Sequence, residues 1–345
     1  LNTAVFPRRE WISAQASYAT QADELIAMVD RLDDQLRQAR LEKPLRVTLV
    51  GIGASHAAAA TPVYEMRRHG LDAHRFLPSE LPAGLSGHHG LTVLISQSGR
   101  SAEVVDLVRH GIGSGQVAIT NYTPSPLGTL CGREINLGNL PDSSVSVVSF
   151  TGTMLALAML IERWTDRTRT EHWKHLISLA AETADRLDGE IRDVAEMLLY
   201  SASIDIVAPA PLMSVAEEGV LMLREGPRLF ATAMETRQYL HGPMDAAGPG
   251  AHLLFGGNRE ARLLAQLSER TKRLALVTGS STDAVPDGCH RLVLPFETSD
   301  PISFAIASTF IAQKLTLHAA DIRGFDINEA AFQRIDTKTD SLTKI

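Results

Sequence analysis

At 345 residues, with 44% hydrophobic and 21% charged side chains, the chain has the make-up of a soluble globular protein with one large domain or two ordinary ones. A formal net charge of -7 argues against a nucleic-acid binder, which needs a basic surface to displace counterions from phosphates. Cys131 and Cys289 stand far apart with no disulfide or metal pattern, and no apolar run reaches bilayer length, so the expectation is reduced thiols, no metal, no membrane and a cytoplasmic location.

A helical segment is placed over residues 1–40. Leu45 to Val50 then reads as a short buried strand ending in Gly51-Ile52-Gly53-Ala54-Ser55, with a helical pattern continuing to about His69. Leu91 to Ile95 is the next strand, followed by Ser96-Gln97-Ser98-Gly99-Arg100-Ser101 and a helix to about His110. Val117 to Thr120 is a third strand, and the longest apolar run, Thr153 to Ile161, is about half of what a bilayer requires. A long helical pattern from about Glu171 to Met197 connects to a second series: a strand at Ile204–Ala208, a helix to about Glu225, strands at Leu253–Phe255 and Leu274–Thr278, and a closing helix over roughly 303–322.

Strands alternating with helices predict parallel βαβ units, and the two series resemble each other. The expected fold is α/β: two doubly wound, mostly parallel, flavodoxin-like three-layer lobes related by internal duplication. The boundaries are 41–165 for the first lobe, 166–198 for the connecting helix, 199–325 for the second lobe and 326–345 for a tail. In such sheets ligands bind at the carboxyl ends of the strands near the topological switch point, where the loops 53–56 and 96–101 belong.

The loop 96–101 carries hydroxyl and amide groups at the mouth of a helix, where unpaired N–H groups and the positive end of the dipole suit an anion. Ser96, Ser98 and Ser101 supply further donors, Gly99 allows close approach, and Ser55 adds one more from the neighbouring loop. Hydrogen bonds to a charged partner contribute about 1.5–3 kcal/mol each, so three or four hold a phosphate monoester without any lysine. The plain alternative is that Ser98 or Ser101 merely caps the helix. A P-loop motif is missing, and Gly51-Ile52-Gly53 does not complete the dinucleotide fingerprint, so no nucleotide cofactor is expected.

The S-Q-S-G-x-[ST] loop, the G-x-S segment before it (Gly53, Ser55) and the "REWISAQ" opening resemble the SIS (sugar isomerase) phosphosugar-binding family, above all the isomerase half of glucosamine-6-phosphate synthase and its stand-alone relatives. The resemblance implies that Ser55, Ser96, Gln97, Ser98 and Ser101 bind phosphate, with Gly53 and Ser146 as further substrate contacts.

The stretch 219–247 is the other informative one. Glu225 is predicted at a helix C-terminus, where the dipole disfavours a carboxylate and raises its basicity; the alternative is an exposed, solvated side chain. His241 precedes a rigid Gly-Pro turn that fixes its ring direction, although a histidine in that position is commonly structural. The family carries L-K-x-K-E followed at this spacing by H-G-P, matched by Leu221 to Glu225 and His241 to Pro243. By resemblance Glu225 is the base that moves a proton between C1 and C2 of an opened sugar. His241 assists ring opening and is presented to the neighbouring subunit's site in a homodimer. Glu235 and Gln238 are candidates for the pocket wall.

Several positions depart from the family. Its helix lysines are Arg224 and Met222 here, and arginine cannot carry protons as lysine does. A third lysine is replaced by Val148. The tail that brings a lysine into the family's site offers Arg334 or Lys338, and the second lobe's loops (Ala208–Pro211 and Gly256–Glu260) lack serines, leaving one phosphate site per chain. Without an N-terminal cysteine nucleophile, glutamine is not expected as a nitrogen donor. The expected ligand is a hexose 6-phosphate or hexosamine 6-phosphate. The expected reaction is aldose–ketose isomerisation or loss of ammonia from an aminosugar phosphate, with no cofactor. A fructosamine-phosphate deglycase and a catalytically silent phosphosugar sensor are the alternatives.

Overall fold

The computed structural model describes residues 6–7, 10–82, 90–112, 115–280, 285–340 and 342. It divides into two compact units, one made of residues 1–13, 23–174 and 332–345, the other of 14–22 and 175–331.

The first unit is built on five parallel strands: β1 (Arg46–Val50), β2 (Asp72–Phe76), β3 (Leu91–Ile95), β4 (Gln116–Thr120) and β5 (Glu134–Asn136). Most of α1 (Ala14–Ala39) belongs to it, with α2 (Ala54–Ala58), α3 (Ala60–Arg68), α4 (Ala102–His110), α5 (Pro126–Cys131) and α6 (Val148–Trp164). The helix α7 (Thr170–Arg186) crosses the division. In the second unit α8 (Asp188–Leu199), α9 (Met213–Glu225), α10 (Thr236–Tyr239), α11 (Asn258–Leu267) and α12 (Pro301–Arg323) accompany a second parallel sheet. Its strands are β6 (Ile204–Ala208), β7 (Ala231–Glu235), β8 (Ala251–Phe255), β9 (Leu274–Thr278) and β10 (His290–Val293).

The strand orders are β2-β1-β3-β4-β5 and β10-β9-β8-β6-β7. Read from its other edge and counted from β6, the second order is the same 2-1-3-4-5 as the first, which is the flavodoxin-like arrangement. Duplication is thus visible in topology as well as in sequence. The central strands β3, β8 and β9 are buried along their whole length, as parallel strands covered on both faces must be.

Two predicted helices are broken in the structure. The pattern from 54 to 69 is interrupted at Ala59, giving α2 and α3, and the connecting helix is two helices parted at Leu187. The apolar run at 153–161 lies inside α6, where every residue except Arg163 is buried. It is a core helix enclosed on all sides, which is why it shows no amphipathic stripe. Among the described residues, no helix is long and apolar enough to cross a membrane.

In the second unit, consecutive residues of β6 serve opposite faces. Ile206 faces α9, its Cδ1 lying 3.0 Å from where a Cβ on Gly219 would stand. Val207 packs with Tyr239, Leu254, Leu264 and Leu276 on the other face, where Leu240 joins the edge of the cluster.

A polar group sits at the start of β6 on that second face. The Asp205 carboxylate accepts from Thr232 Oγ1 at 2.7 Å and from the Tyr239 hydroxyl at 3.3 Å, and His252 Nδ1 lies 3.5 Å away. Burial opposes the Asp205 charge, but His252, Thr232 and Tyr239 outweigh it and hold the carboxyl below the usual aspartate range. A folded-state pKa below the unfolded one means that the stabilisation is present above the unfolded pKa and lost as pH falls through the folded value. Asp205→Asn is therefore expected to cost about 1–2 kcal/mol at pH 7 in urea unfolding, with the gap to wild type closing as pH falls below about 4. A gap that stays constant with pH would show that the charge contributes nothing.

Candidate active site

In a 2-1-3-4-5 sheet the switch point lies between β1 and β3, which pair directly with Val47 opposite Leu91 and Val50 opposite Leu94. The loops that follow these two strands carry the predicted ligand groups. The second loop is wound tightly: the Gly99 amide donates to the Ser96 carbonyl at 2.9 Å. Its carbonyls are turned into the protein, Gln97 O accepting from the Asn121 and Tyr122 amides and Gly99 O from the Leu127 amide.

Gly99 adopts φ +62°, and a Cβ there would stand 2.2 Å from Ser125 Oγ. The position thus requires glycine for both backbone conformation and space.

The three serines of this loop are buried, at 1% (Ser96), 8% (Ser98) and 7% (Ser101) exposure. Ser96 Oγ and Ser101 Oγ are 3.0 Å apart. Ser101 occupies the position just before α4 and makes no capping bond with its side chain. Ser98 Oγ accepts from the Arg100 amide at 3.3 Å, ahead of the helix. Capping therefore does not account for these hydroxyls, which gather at the N-terminal end of α4.

Ser55 is half-buried in the first turn of α2, beside Gly51, and Gly53 is exposed at φ +59°. The Gln97 amide nitrogen donates to Asp142 Oδ2 at 2.8 Å. Asp142 is fully buried and also accepts from the amides of Ser143, Val147 and Ser149 at 2.9, 3.0 and 3.2 Å and from the Ser149 hydroxyl. Burial pushes its carboxyl up, and the bonds from Ser149, Val147, Ser143 and Gln97 pull against that rise. Asp142 thereby fastens the loop after β3 to the segment leading into α6, where the half-buried Ser146 lies. The sequence reading missed it. Its signal was a Pro-Asp-Ser-Ser run before an apolar helix.

The tail candidate Lys338 lies at this loop. Residue 338 pairs with residue 101 as an antiparallel bridge, and Lys338 Nζ donates to Ser98 Oγ at 3.2 Å. Although Lys338 as a whole stays exposed, desolvation of its ammonium lowers the pKa; Glu103 opposes this, while Arg334 and Arg100 add to it. Arg334 itself is exposed.

In the second unit Glu225 is the last residue of α9, half-buried, as its predicted place at a helix C-terminus requires. Arg224 donates from Nε to the Ala231 carbonyl at 2.8 Å and stacks on Phe230 with 4.9 Å from guanidinium carbon to ring centre. His241 is exposed, one residue beyond Leu240, and precedes Gly242 at φ +131°. Glu225 ends a helix on the Ile206 face of the sheet, whereas His241 follows a helix packed on the Val207 face. Glu235 caps α10 by accepting from the Arg237 and Gln238 amides at 2.8 and 2.9 Å, and Gln238 is exposed.

The loop after β8 is the counterpart of the one after β3. Here Glu260, 3% exposed, folds back so that Oε2 accepts from the Gly257 amide at 3.0 Å and Oε1 from Thr236 Oγ1 at 2.8 Å. A Cβ on Gly256, at φ +152°, would stand 2.3 Å from Glu260 Oε2. A carboxylate of the chain itself thus occupies the head of α11. Among the described residues, no group of three or more His, Cys, Asp or Glu side chains is arranged to hold a metal ion.

No family model matches the chain. Over 305 residues it is 22% identical to the glutamine–fructose-6-phosphate aminotransferase (isomerizing) of Sulfurisphaera tokodaii, covering 87% of the chain and 50% of that protein. The chain thus spans about half the length of the curated relatives it matches. Among solved structures, it superposes on the C-terminal domain of glucosamine-fructose-6-phosphate aminotransferase from Francisella tularensis with a TM-score of 0.78 at 20% identity, covering 92% and 98% of the two chains. For tagatose-6-phosphate ketose/aldose isomerase from Escherichia coli the TM-score is 0.74 at 16% identity, with 96% of each chain covered.

Proposed function

We propose that this chain, like the proteins it resembles, is a phosphosugar-binding SIS (sugar isomerase) protein that binds a hexose or hexosamine 6-phosphate and moves a proton between C1 and C2 of the opened sugar. The observation that carries this reading is the cluster of three buried serine hydroxyls at the head of α4, with an ammonium 3.2 Å from one of them. Such a group of donors suits a phosphate dianion.

In this reading Ser55, Ser96, Ser98 and Ser101 donate to the phosphate, and Gln97, held by Asp142, orients the loop and offers its second amide hydrogen. Lys338 supplies positive charge, with Gly53 and Ser146 as further contacts. The Glu225 carboxylate removes the C2 proton of an aldose to give an enediol and returns it to C1, which yields the ketose with no net change in protons. Applied to an amino sugar, the same step moves C=N character to C2, and hydrolysis there releases ammonia.

His241 assists ring opening. Its position on the opposite face of the second sheet from Glu225 favours a homodimer in which His241 serves the site of the second copy. Its exposure is compatible with that role.

One observation favours a second reading, a phosphosugar sensor without turnover. Arg224, standing where the family has a lysine, is engaged with Ala231 and Phe230. Incubation with a panel of hexose and hexosamine 6-phosphates, following aldose, ketose and ammonia, separates the two. The isomerase or deaminase reading expects product with at least one of them. Thermal stabilisation of several degrees without product would favour the sensor, and neither product nor stabilisation would dispose of both.

A further inference from the structure

The unspecified position of the S-Q-S-G-x-[ST] loop is Arg100, whose side chain is only 12% exposed. Its NH2 donates to the Phe6 carbonyl at 2.7 Å and to the Pro7 carbonyl at 3.0 Å, while NH1 pairs with Asp340 Oδ1 at 2.5 Å. Backbone bonds flank this arrangement: the Thr339 amide donates to Arg100 O at 2.9 Å and the Ala102 amide to Thr337 O at 3.1 Å. Arg109 adds a contact to Thr339 Oγ1 at 3.3 Å while pairing with Asp106 at 2.5 Å. Lys338 lies between the two backbone bonds.

We propose that Arg100 is a positioning residue that holds residues 6–7 and 337–340 on the phosphate loop and so fixes Lys338 at Ser98. A planar guanidinium with five donors can serve two carbonyls and a carboxylate at once, whereas an ammonium on a flexible stem keeps the ion pair and loses the fork. Without the fork, two carbonyls lose a donor and the Asp340 carboxylate loses its ion pair with residue 100, which weakens the hold on 337–340. Phe6 is buried, so the segment that carries these carbonyls is itself anchored. The loop's one free choice of residue therefore serves the segment that brings the cation, while the serines address the anion. The consequence for catalysis rests on the phosphosugar reading; the clamp does not.

Hydrogen exchange and trypsin sensitivity read the clamp directly. In Arg100→Met the amides of Ala102 and Thr339 should exchange about tenfold faster or more, and trypsin should cut after Lys338 faster by a similar factor. Arg100→Lys should fall between this variant and wild type. Asp340→Asn, at a half-exposed carboxylate, leaves the core untouched and should accelerate both by about threefold. Rates within twofold of wild type in both Arg100→Met and Asp340→Asn would overturn the proposal.

With an accepted phosphosugar, Arg100→Met and Lys338→Met should lower kcat/KM, and the double variant should be no worse than Lys338→Met alone, because one acts through the other. Fully additive losses would also overturn it. If no phosphosugar is turned over, the functional reading fails while the exchange measurement still decides the clamp.

Discussion

Replacing Glu225 with glutamine is expected to lower kcat by about 10³–10⁴-fold on any accepted phosphosugar, while ligand affinity changes by less than about threefold. The substitution keeps shape and hydrogen-bonding capacity and removes only the ability to take a proton. The carboxylate is the last residue of α9. Arg224 beside it does not change in the variant, and its bond to Ala231 and its stack on Phe230 preserve the end of the helix. Turnover by the variant and calorimetric titration with the same sugar phosphate test the two halves of the prediction. A kcat within tenfold of wild type would remove Glu225 from the role of base. A collapse of affinity would instead make it a binding group.

Gly99→Ala is expected to cost about 3 kcal/mol of stability and to weaken phosphosugar binding by at least about tenfold. Two costs combine. A residue with a side chain at φ +62° is strained, and its Cβ would meet Ser125 Oγ at 2.2 Å and Ser125 Cβ at 2.3 Å. Ser125 cannot turn aside freely, because it is buried and its hydroxyl accepts from the Gly128 amide at the start of α5. The loop must therefore move, and with it the three hydroxyls. Gly53→Ala is the matching control: φ is +59°, but a Cβ there has no atom within 4 Å, so only the backbone strain of about 1 kcal/mol is expected. Denaturant midpoints for the two variants and a phosphosugar titration make the comparison. Equal midpoints would show that the contact with Ser125 is relieved at no cost.

The parts of the fold legible in sequence were those whose burial leaves a mark. The predicted strands correspond to β1, β3, β4, β6, β8 and β9, the three interior strands of each sheet, which carry apolar runs. The strands that went unpredicted, β2, β5, β7 and β10, are the four sheet edges. Asp72-Ala73-His74-Arg75-Phe76 and His290-Arg291-Leu292-Val293 are half-exposed and mix charge with apolar residues, so no run stands out. The residues themselves singled out the serine loop and the Glu225 and His241 stretch, and the family resemblance supplied the roles assigned to them. It did not reveal Asp142, Arg100 or Glu260, because each acts on a loop contributed from elsewhere in the fold. That His241 and Glu225 stand on opposite faces of the second sheet also depends on which face of β6 each helix covers, and the 16-residue spacing between them carries no trace of it.

The pairing of Lys338 with Ser98 joins residues 240 positions apart, and all of the second unit except residues 14–22 is threaded between them. During synthesis the first sheet emerges and can collapse long before the strand that completes its anion loop exists, since domains form from the N-terminal side onward. Closing so long a loop carries a large entropic cost that only the preceding folding of the intervening chain reduces. The nascent first unit therefore waits with a half-built mouth, and ligand competence should arrive as a discrete late step, after the bulk of the secondary structure has formed.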